Sequence, residues 1–478
     1  MSNGEHEIRT PKGLRIGNRS VVDGKNMLQI KRGGCEDYIS AESLVECIHG
    51  LPVKSLVFCL AENSIGSLMG YLSFMQNRWV ALMLDAKLDS ELLQGLVGKY
   101  QPNLIWMPDS RVQEFTNAKL IYQDYGYSLI ELNSDQIHLH TDLGLLLTTS
   151  GSTGSPKLVR LSYQNLSANA SSIAEYLDIT AEERPITSLP MYYSFGLSVI
   201  NSHIIKGATL LLSKRGLMEK EFWNMLKEQK ATSMSGVPYT FEMLHRLRFQ
   251  RMNLPDLRTI TQAGGKLNDN LIEFFALHAQ KTGQRFFVMY GQTEATARMS
   301  YLPYQQTLDK IGSIGIPIPG GRFMLMDDLG NEITETGKSG ELVYFGENVS
   351  LGYAESQDDL SLEDENQGCL ATGDIAQVDS DGYYYIVGRK KRFIKIFGNR
   401  VNLDASEQLL RAFYLDTVCT GRDDRMYIYT LQSGKEDEIR SFIAHKLGIH
   451  ISAFVVRQID EIPKNNSGKV LYAHLSIE

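Results

Sequence analysis

The chain shows two recurring patterns of apolar and polar positions. Short, continuous apolar runs predict buried strands, at 55–61, 79–85, 103–108, 145–149, 209–213, 257–262 and 286–290. Between the first two runs, apolar residues recur at i, i+3, i+4 and i+7 from Ile65 to Leu72, which is the spacing of a helix over 65–76. Because strands that alternate with helices favour mostly parallel sheets covered by helices, the pattern predicts an α/β fold.

The pattern changes after residue 311. Region 311–388 is rich in Gly and Pro and has short alternating runs at 340–345 and 382–388, which predict antiparallel structure in a small β-barrel-like subdomain. The roughly ninety residues that follow are enough for a separate α+β domain. We therefore expect a large N-terminal domain over 1–388, with mostly parallel sheets and flanking helices, and a small C-terminal domain over 389–478.

Composition narrows the class of protein. Of 478 residues, 43% are hydrophobic and 22% are charged, as in globular enzymes with a sizeable core, and the net charge of −8 argues against nucleic-acid binding. No apolar run approaches the ~18 residues of a membrane span, and residues 1–15 lack a signal core. Five scattered cysteines without CxxC spacing indicate a reducing compartment. These observations predict a cytoplasmic protein with no membrane span.

The strand predicted at 145–149 runs into a turn rich in glycine and hydroxyl groups. Its candidate phosphate-binding residues are Thr149, Ser150, Gly151, Ser152, Thr153, Gly154 and Lys157. Glycines let backbone N–H groups approach an anion, hydroxyls add donors, and the lysine supplies positive charge. The spacing of a Walker loop is missing, which argues against a P-loop NTPase.

This turn resembles the phosphate loop of the adenylate-forming superfamily, which contains acyl-CoA synthetases, luciferases and peptide-synthetase adenylation domains. The family pattern is T-S-G-[ST]-T-G-x-P-K, usually followed by Gly, where this chain has Leu158. Further segments follow in family order, at 263–267, 289–297, 312–320, 372–374, 388–401 and 463–470. The resemblance covers roughly residues 50–475.

The resemblance implies roles for individual residues. Besides the phosphate turn, the implied nucleotide-binding residues are Gly264, Gly265, Tyr290, Gly291, Asp374 and Arg389. Of these, the two consecutive glycines and the tyrosine would flank adenine, and the last two would hold the ribose. Thr293, Glu294 and Lys469 are the implied catalytic residues. Glu294 would also be the metal ligand, since Mg²⁺ prefers carboxylate and phosphate oxygens.

The resemblance also implies a hinge at Lys391. In the family, the small C-terminal domain rotates between two half-reactions. One orientation would insert Lys469 for adenylation, and the other would withdraw it and present 395–400 to the incoming thiol. Such gating separates chemical steps that cannot share one arrangement.

The segment 188–198 resembles part of the family's acyl pocket. The candidate lining residues are Tyr192, Tyr193, Phe195, Val237 and Met289. No Asp or Glu lies between Leu189 and Lys206. Because a buried ammonium without a counter-ion is costly, a free amino acid is disfavoured, and a small or aromatic carboxylic acid is favoured.

The implied function is ATP-dependent activation of a carboxylic acid to an acyl-AMP, with pyrophosphate release and transfer of the acyl group to a thiol. This is the activity of an AMP-forming acid–thiol ligase that uses ATP and Mg²⁺, with coenzyme A or phosphopantetheine as the acceptor. The alternatives are loading of an acyl carrier protein and amide synthesis. A non-catalytic nucleotide-binding homologue is the other class, and intact Lys469, Glu294 and Asp374 count against it.

Overall fold

A computed structural model describes the chain in two compact units. The described residues are 21–22, 25–32, 35–40, 54–132, 135–148, 157–397, 399–411, 413–414, 416–422, 424–464 and 470–475. The first unit contains those up to Ile311, with Pro317–Arg322 and Phe345–Leu370, and the second contains Gly312–Ile316, Phe323–Tyr344 and those from Ala371 onward. The predicted domain boundary at 388/389 concerns motion and stays a prediction.

An eight-stranded sheet forms the centre of the first unit. Its spatial order is Gly352–Ala354, Leu158–Ser162, Leu143–Thr148, Val80–Asp85, Leu56–Ala61, Leu104–Pro108, Tyr127–Glu131 and Lys119–Asp124. The four strands from Leu143–Thr148 to Leu104–Pro108 run parallel. Beyond them, on both sides of the sheet, each strand runs antiparallel to its neighbour. Successive side chains enter different cores, since Val57 and Cys59 belong to one cluster and Leu56 and Phe58 to another.

Five strands of a second, six-stranded sheet lie in this unit, four of them parallel and one antiparallel. Their order is Pro185–Ile186, Ser233–Gly236, Thr259–Gln262, Arg285–Tyr290 and Ser300–Leu302. The prediction of a strand over 209–213 is wrong. In this segment a single residue, Leu211, forms an isolated β-bridge, to Ile186. The partner strand, Pro185–Ile186, has only two residues, so it cannot pair with a longer stretch.

Helices cover these sheets. The described helices of the first unit are Ile65–Gln76, Ser90–Tyr100, Tyr163–Tyr176, Ser194–Ile204, Lys220–Glu228, Pro238–Arg246 and Asp269–Thr282. The helix predicted over 65–76 is confirmed, and the Ser64 hydroxyl caps it by accepting from the Ser67 N–H. Farther along the chain, Ser162 and Asn165 form a reciprocal capping box.

The second unit is built mainly from small sheets. The β-rich region predicted over 311–388 contains a four-stranded sheet in the order Arg322–Met326, Gly340–Phe345, Cys369–Val378 and Tyr384–Arg389. The strand pair Phe393–Ile396 and Asn399–Asn402 follows, and then a sheet of Thr417–Arg422, Arg425–Thr430 and Phe454–Gln458. Helices Leu403–Arg411 and Glu436–Leu447 complete this mixed α+β segment.

Two shorter segments complete the description. Val21–Val22, Lys25–Arg32 and Cys35–Ser40 form an antiparallel sheet, and Ile316–Pro317 is a two-residue strand where the chain passes between the units. Among the residues described, no helix is both long enough and apolar enough to cross a bilayer.

Candidate active site

The two strands that flank the predicted phosphate turn pair with each other. Leu143–Thr148 and Leu158–Ser162 are antiparallel, and Thr148 lies opposite Leu158. The pairing brings both ends of the turn together. Six of its predicted residues, Thr149, Ser150, Gly151, Ser152, Thr153 and Gly154, lie outside the described residues.

Lys157, the last residue of the predicted turn, is described and is exposed. Its ammonium forms an ion pair with Glu355 and lies 5.8 Å from the centroid of the Tyr353 ring. These contacts arise because strand Gly352–Ala354 pairs with Leu158–Ser162 at the sheet edge. The lysine is therefore held beside an aromatic ring at the end of the sheet.

The same tyrosine contacts the predicted metal ligand. Tyr353 donates its hydroxyl to Oε1 of Glu294 at 2.9 Å, and the Glu294 carbonyl accepts the N–H of Ser350 at 2.8 Å. Burial raises the pKa of Tyr353, and the neighbouring carboxylate adds to the effect, so the phenol stays a neutral donor. Tyr353 thus orients Glu294. Sequence reasoning missed both Tyr353 and Glu355, because their segment carries no recognisable motif.

Thr293 lies in the turn after strand Arg285–Tyr290. Its hydroxyl is 3.1 Å from that of Ser194, at the start of helix Ser194–Ile204. The turn is tight: a Cβ on Gly291 would lie 1.7 Å from the carbonyl oxygen of Ala297. Only glycine fits there. Thr293 and Glu294 are both half-buried, so their polar groups remain accessible.

Three predicted residues lie at the carboxyl ends of neighbouring parallel strands. Val237 follows Ser233–Gly236, Gly264 follows Thr259–Gln262 closely, and Tyr290 ends Arg285–Tyr290. Ligands of open α/β sheets bind at this end of the strands. Gly264 has φ +83°, and a Cβ there would lie 2.7 Å from the Tyr193 hydroxyl. Gly265 lies next to it, and its own Cβ would lie 3.2 Å from Pro238.

Most of the predicted acyl pocket forms one cluster. Phe195, Val237 and Met289 are buried together, and Tyr193 packs against them. Burial raises the pKa of Tyr193 to about 12, so its hydroxyl is a neutral donor. Tyr192 lies elsewhere: its ring packs on the core of the first sheet, and its hydroxyl donates to Asp85 at 2.8 Å. The structure therefore brings four of the five residues together.

The second unit holds the predicted ribose residues. Asp374 and Arg389 lie opposite each other on adjacent strands, with Nε of the arginine 3.3 Å from Oδ1 of the aspartate. The Asp374 side chain is 6% exposed and that of Arg389 is 61% exposed. A buried carboxylate thus lies beside an exposed cation. The predicted hinge, Lys391, lies in the short turn Lys390–Arg392; its side chain, like the whole of Lys469, is outside the described residues.

Known proteins share sequence and fold with this chain. The family model for AMP-binding enzymes matches residues 41–354, well over half of the chain. A long-chain-fatty-acid–CoA ligase of Yersinia pestis is 30% identical over 362 residues, which cover 71% of this chain and 62% of that protein. The chain therefore spans less than two thirds of the length of this relative.

Solved structures share the fold. O-succinylbenzoate coenzyme A synthetase (MenE) of Bacillus subtilis in complex with AMP has a TM-score of 0.75 at 20% identity, covering 94% of this chain and 95% of that one. The same enzyme with ATP and magnesium has a TM-score of 0.74 at 20% identity, covering 95% and 97%. The predicted α/β fold class is confirmed, and the family match shows that the chain belongs to the AMP-binding enzymes.

Proposed function

We propose that this chain activates a carboxylic acid with ATP, forming an acyl-AMP and pyrophosphate, and then transfers the acyl group to the thiol of coenzyme A. One observation carries the proposal within the first unit. Tyr353 joins Lys157, at the end of the phosphate turn, to the carboxylate of Glu294. A cation for phosphates and a carboxylate for a divalent cation thus both contact one tyrosine at the edge of the eight-stranded sheet.

The proposed chemistry has two steps. First, a carboxylate oxygen of the substrate attacks the α-phosphorus, and the bond to pyrophosphate breaks. Negative charge converges there, so Lys157, the Thr293 hydroxyl and Lys469 would lower the barrier electrostatically. Second, the thiol sulfur attacks the acyl carbon, the bond to AMP oxygen breaks, and the thiol gives up its proton. Asp374 and Arg389 would hold the ribose throughout.

Glu294 fits a magnesium site. Its Oε1 is occupied by the Tyr353 hydroxyl, and its half-buried position keeps the carboxylate accessible. Within the described ranges, no group of three or more His, Cys, Asp or Glu side chains could hold a metal ion. One carboxylate together with phosphate oxygens is the usual Mg²⁺ arrangement. Bound there, the ion would neutralise charge on the phosphates of ATP.

The acceptor rests on the relatives. The Yersinia pestis protein and the Amycolatopsis feruloyl-CoA synthase, 26% identical over 343 residues, are both named for coenzyme A. A phosphopantetheine arm on a carrier protein presents the same thiol and remains the alternative, as does amide formation. A cytoplasmic location, inferred from the cysteine pattern, remains part of the proposal.

Pyrophosphate–ATP exchange tests the first step. Labelled pyrophosphate should enter ATP only when a suitable carboxylic acid is present, because exchange reverses acyl-AMP formation. Exchange without any acid, or none with a broad panel of mono- and dicarboxylic acids, would contradict the proposal. Mass spectrometry of coenzyme A and of a carrier protein would then identify the acceptor.

A further inference from the structure

A buried arginine contacts the acyl cluster. Arg298 is 2% exposed, and its backbone carbonyl accepts the side-chain amides of Asn169, at 2.8 Å, and Asn348, at 3.1 Å. These two hydrogen bonds come from separate segments of the first unit and fix the backbone position of Arg298. Arg298 follows the Thr293–Glu294 turn by four residues, so its backbone lies near the candidate active site.

The guanidinium is surrounded by neutral groups. It lies 4.9 Å from the Phe195 ring centroid, and its Nη1 donates to the Tyr176 hydroxyl at 3.1 Å and to Sδ of Met289 at 3.2 Å. Its Nε is buried and has no hydrogen-bond partner within the described part of the chain. Two of these neighbours, Phe195 and Met289, are predicted acyl-pocket residues. The charge therefore faces the place where the acyl group is expected.

The environment offers no counter-ion for this charge. Over the described ranges, Arg298 has no carboxylate within 4 Å. Burial raises the pKa of Tyr176, so this phenol stays neutral, and burial lowers the pKa of His203 to about 4, so that imidazole stays uncharged. A buried charge without a partner costs free energy that a binding anion would offset.

Arg160 is also buried in this unit, and its contacts show how a buried arginine with a structural role is paired. Its side chain is 0% exposed, yet it pairs with Glu365 at 2.9 Å and donates to the carbonyls of Tyr353 and Leu351. Arg160 is therefore satisfied within the protein. Arg298 is also buried, and among the residues that the structure describes it has neither a carboxylate nor a carbonyl partner for its guanidinium.

Some of the aromatic residues that border Arg298 are partly exposed. Tyr176, Tyr193 and Tyr301 are only partly buried where they pack against it, and Tyr176 stacks on Tyr301 at a centroid distance of 4.2 Å. These rings form a partly exposed aromatic border beside the cluster that the buried cation contacts. A flat or extended acid could therefore lie along the rings, with its remote end at the guanidinium.

We propose that Arg298 binds a second carboxylate on the acyl substrate, so that the acid activated by this chain is a dicarboxylic acid. The inference rests on the proposed function and names its substrate class. A carboxylate would accept charge-assisted hydrogen bonds from the unpartnered Nε and from the terminal nitrogens. A substrate ammonium would be repelled, which agrees with the lack of Asp or Glu between Leu189 and Lys206.

Acid-dependent pyrophosphate exchange with matched acids tests this inference. The panel pairs succinate, glutarate and phthalate with their monomethyl esters and with butyrate, valerate and benzoate. We expect kcat/KM for the preferred diacid to exceed that of its monoester at least about thirtyfold, the size of a charged hydrogen bond. Equal values for a diacid and its monoester, or a preference for the ester, would overturn the inference.

Substitutions assign the preference to the residue. Arg298→Met should lower kcat/KM for the diacid by the same factor and leave the values for monoacids within about threefold, whereas Arg298→Lys should retain part of the preference. Arg285→Gln is the matched control: Arg285 pairs with Asp178 and Thr259 at the far end of its strand. Its acid preference should equal that of the wild type. Loss of activity toward all acids alike in both Arg298 variants would overturn the role.

The outcomes separate the two proposals. Exchange with monoacids but not with diacids, in the wild type, would refute the Arg298 inference and leave the proposed function intact. Failure of every tested acid, monoacid or diacid, to support exchange would refute the proposed function. A thermal unfolding midpoint for Arg298→Met at or above that of the wild type would show that the variant folds, and we expect this because the substitution removes an unpaired buried charge. A lowered midpoint with unchanged diacid preference would identify Arg298 as structural.

Discussion

At the scale of single residues, the phenol of Tyr353 fixes one oxygen of Glu294 and leaves the rest of the carboxylate accessible. We predict that Glu294→Gln lowers exchange on the order of a hundredfold and raises the Mg²⁺ concentration needed for half-maximal rate, since it removes the charge expected to hold the cation. Tyr353→Phe should lower exchange only severalfold, because one neutral hydrogen bond is worth about 1 kcal/mol.

The comparison needs a control phenol. Tyr385 donates its hydroxyl to Asp379 in the second unit, at 3.3 Å, and Tyr385→Phe should leave exchange and its Mg²⁺ dependence unchanged. Exchange rates would be measured across a series of Mg²⁺ concentrations for all three variants. An unaltered Mg²⁺ dependence in Glu294→Gln would contradict the metal-ligand role.

His203 gives a prediction about pH. It is buried, its Nδ1–H donates to the Val199 carbonyl at 2.7 Å, and burial lowers its pKa from 6.5 to about 4. In the unfolded chain His203 is therefore protonated below pH 6.5, whereas in the folded chain it is protonated only below about pH 4. The contribution of neutral His203 to the free energy of unfolding is fully present above pH 6.5 and falls by up to about 3 kcal/mol as the pH approaches 4.

The measurement is the urea unfolding midpoint of wild type and His203→Gln at pH 7.5 and pH 5. Glutamine keeps a donor for Val199 and does not titrate, so the variant should lose less stability over this interval than the wild type. Other acid-sensitive groups are common to both proteins and cancel. Identical losses would mean that His203 is not the group responsible.

Residues of the candidate site differ in how far the sequence predicts them. Thr293 and Glu294 follow from a local motif, and each has chemistry that suggests a role. Tyr353 and Arg298 could not be found in this way, because their significance lies in contacts with segments distant in sequence. Tyr192 shows the converse: its neighbourhood in sequence suggested the pocket, yet its side chain turns to Asp85.

At the scale of elements, short-range patterns predict a helix or strand well when residues next to it in sequence also mark its ends. The helix over 65–76 follows from its periodicity, and Ser64 caps its start. The strand expected over 209–213 fails because an apolar run does not show how long its partner is. The edge strand Gly352–Ala354, which carries Tyr353, is three residues long and too short for any pattern to reveal.

Helix Leu403–Arg411 offers a test of element packing in the second unit. The buried Glu407 accepts from Arg392 at 2.7 Å, from the Cys419 N–H at 2.8 Å and from the Tyr472 hydroxyl at 3.1 Å. Glu407→Gln leaves the arginine charge without its full partner, so we predict a loss of about 3 kcal/mol in the stability of this unit.

Hydrogen exchange of strand Thr417–Arg422 would measure that loss. All three tryptophans, at 79, 106 and 223, belong to the first unit, so the tryptophan fluorescence transition should stay near that of the wild type. Glu461→Gln, at an exposed position, is the control and should leave both signals unchanged. Equal protection of the strand in Glu407→Gln and wild type would refute the role of this network.

At the scale of the whole molecule, the order of motifs along the chain predicts the family and the fold class, and the family match and the shared fold confirm both. The predicted movement of the small domain is a different kind of property. It depends on the relative free energies of two arrangements of one sequence, which neither a motif nor a single set of contacts expresses. The hinge at Lys391 accordingly stays a prediction, and kinetics of the separate half-reactions is the way to test it.

Lys469→Ala divides the two half-reactions. If this lysine bridges the substrate carboxylate and the α-phosphate only during adenylation, its loss should reduce pyrophosphate exchange by two orders of magnitude or more, the scale of a lost electrostatic group. Transfer to coenzyme A from supplied acyl-AMP should fall less than about threefold, because the lysine would be withdrawn in that step.

Lys464→Ala is the control: Lys464 is exposed and bridges Val470 through its backbone, so both rates should stay near those of the wild type. Stopped-flow and exchange assays on the same preparations would give both rates. Equal loss of the two in Lys469→Ala would mean that one arrangement of the chain serves both steps, and the proposed domain rotation would then have no role.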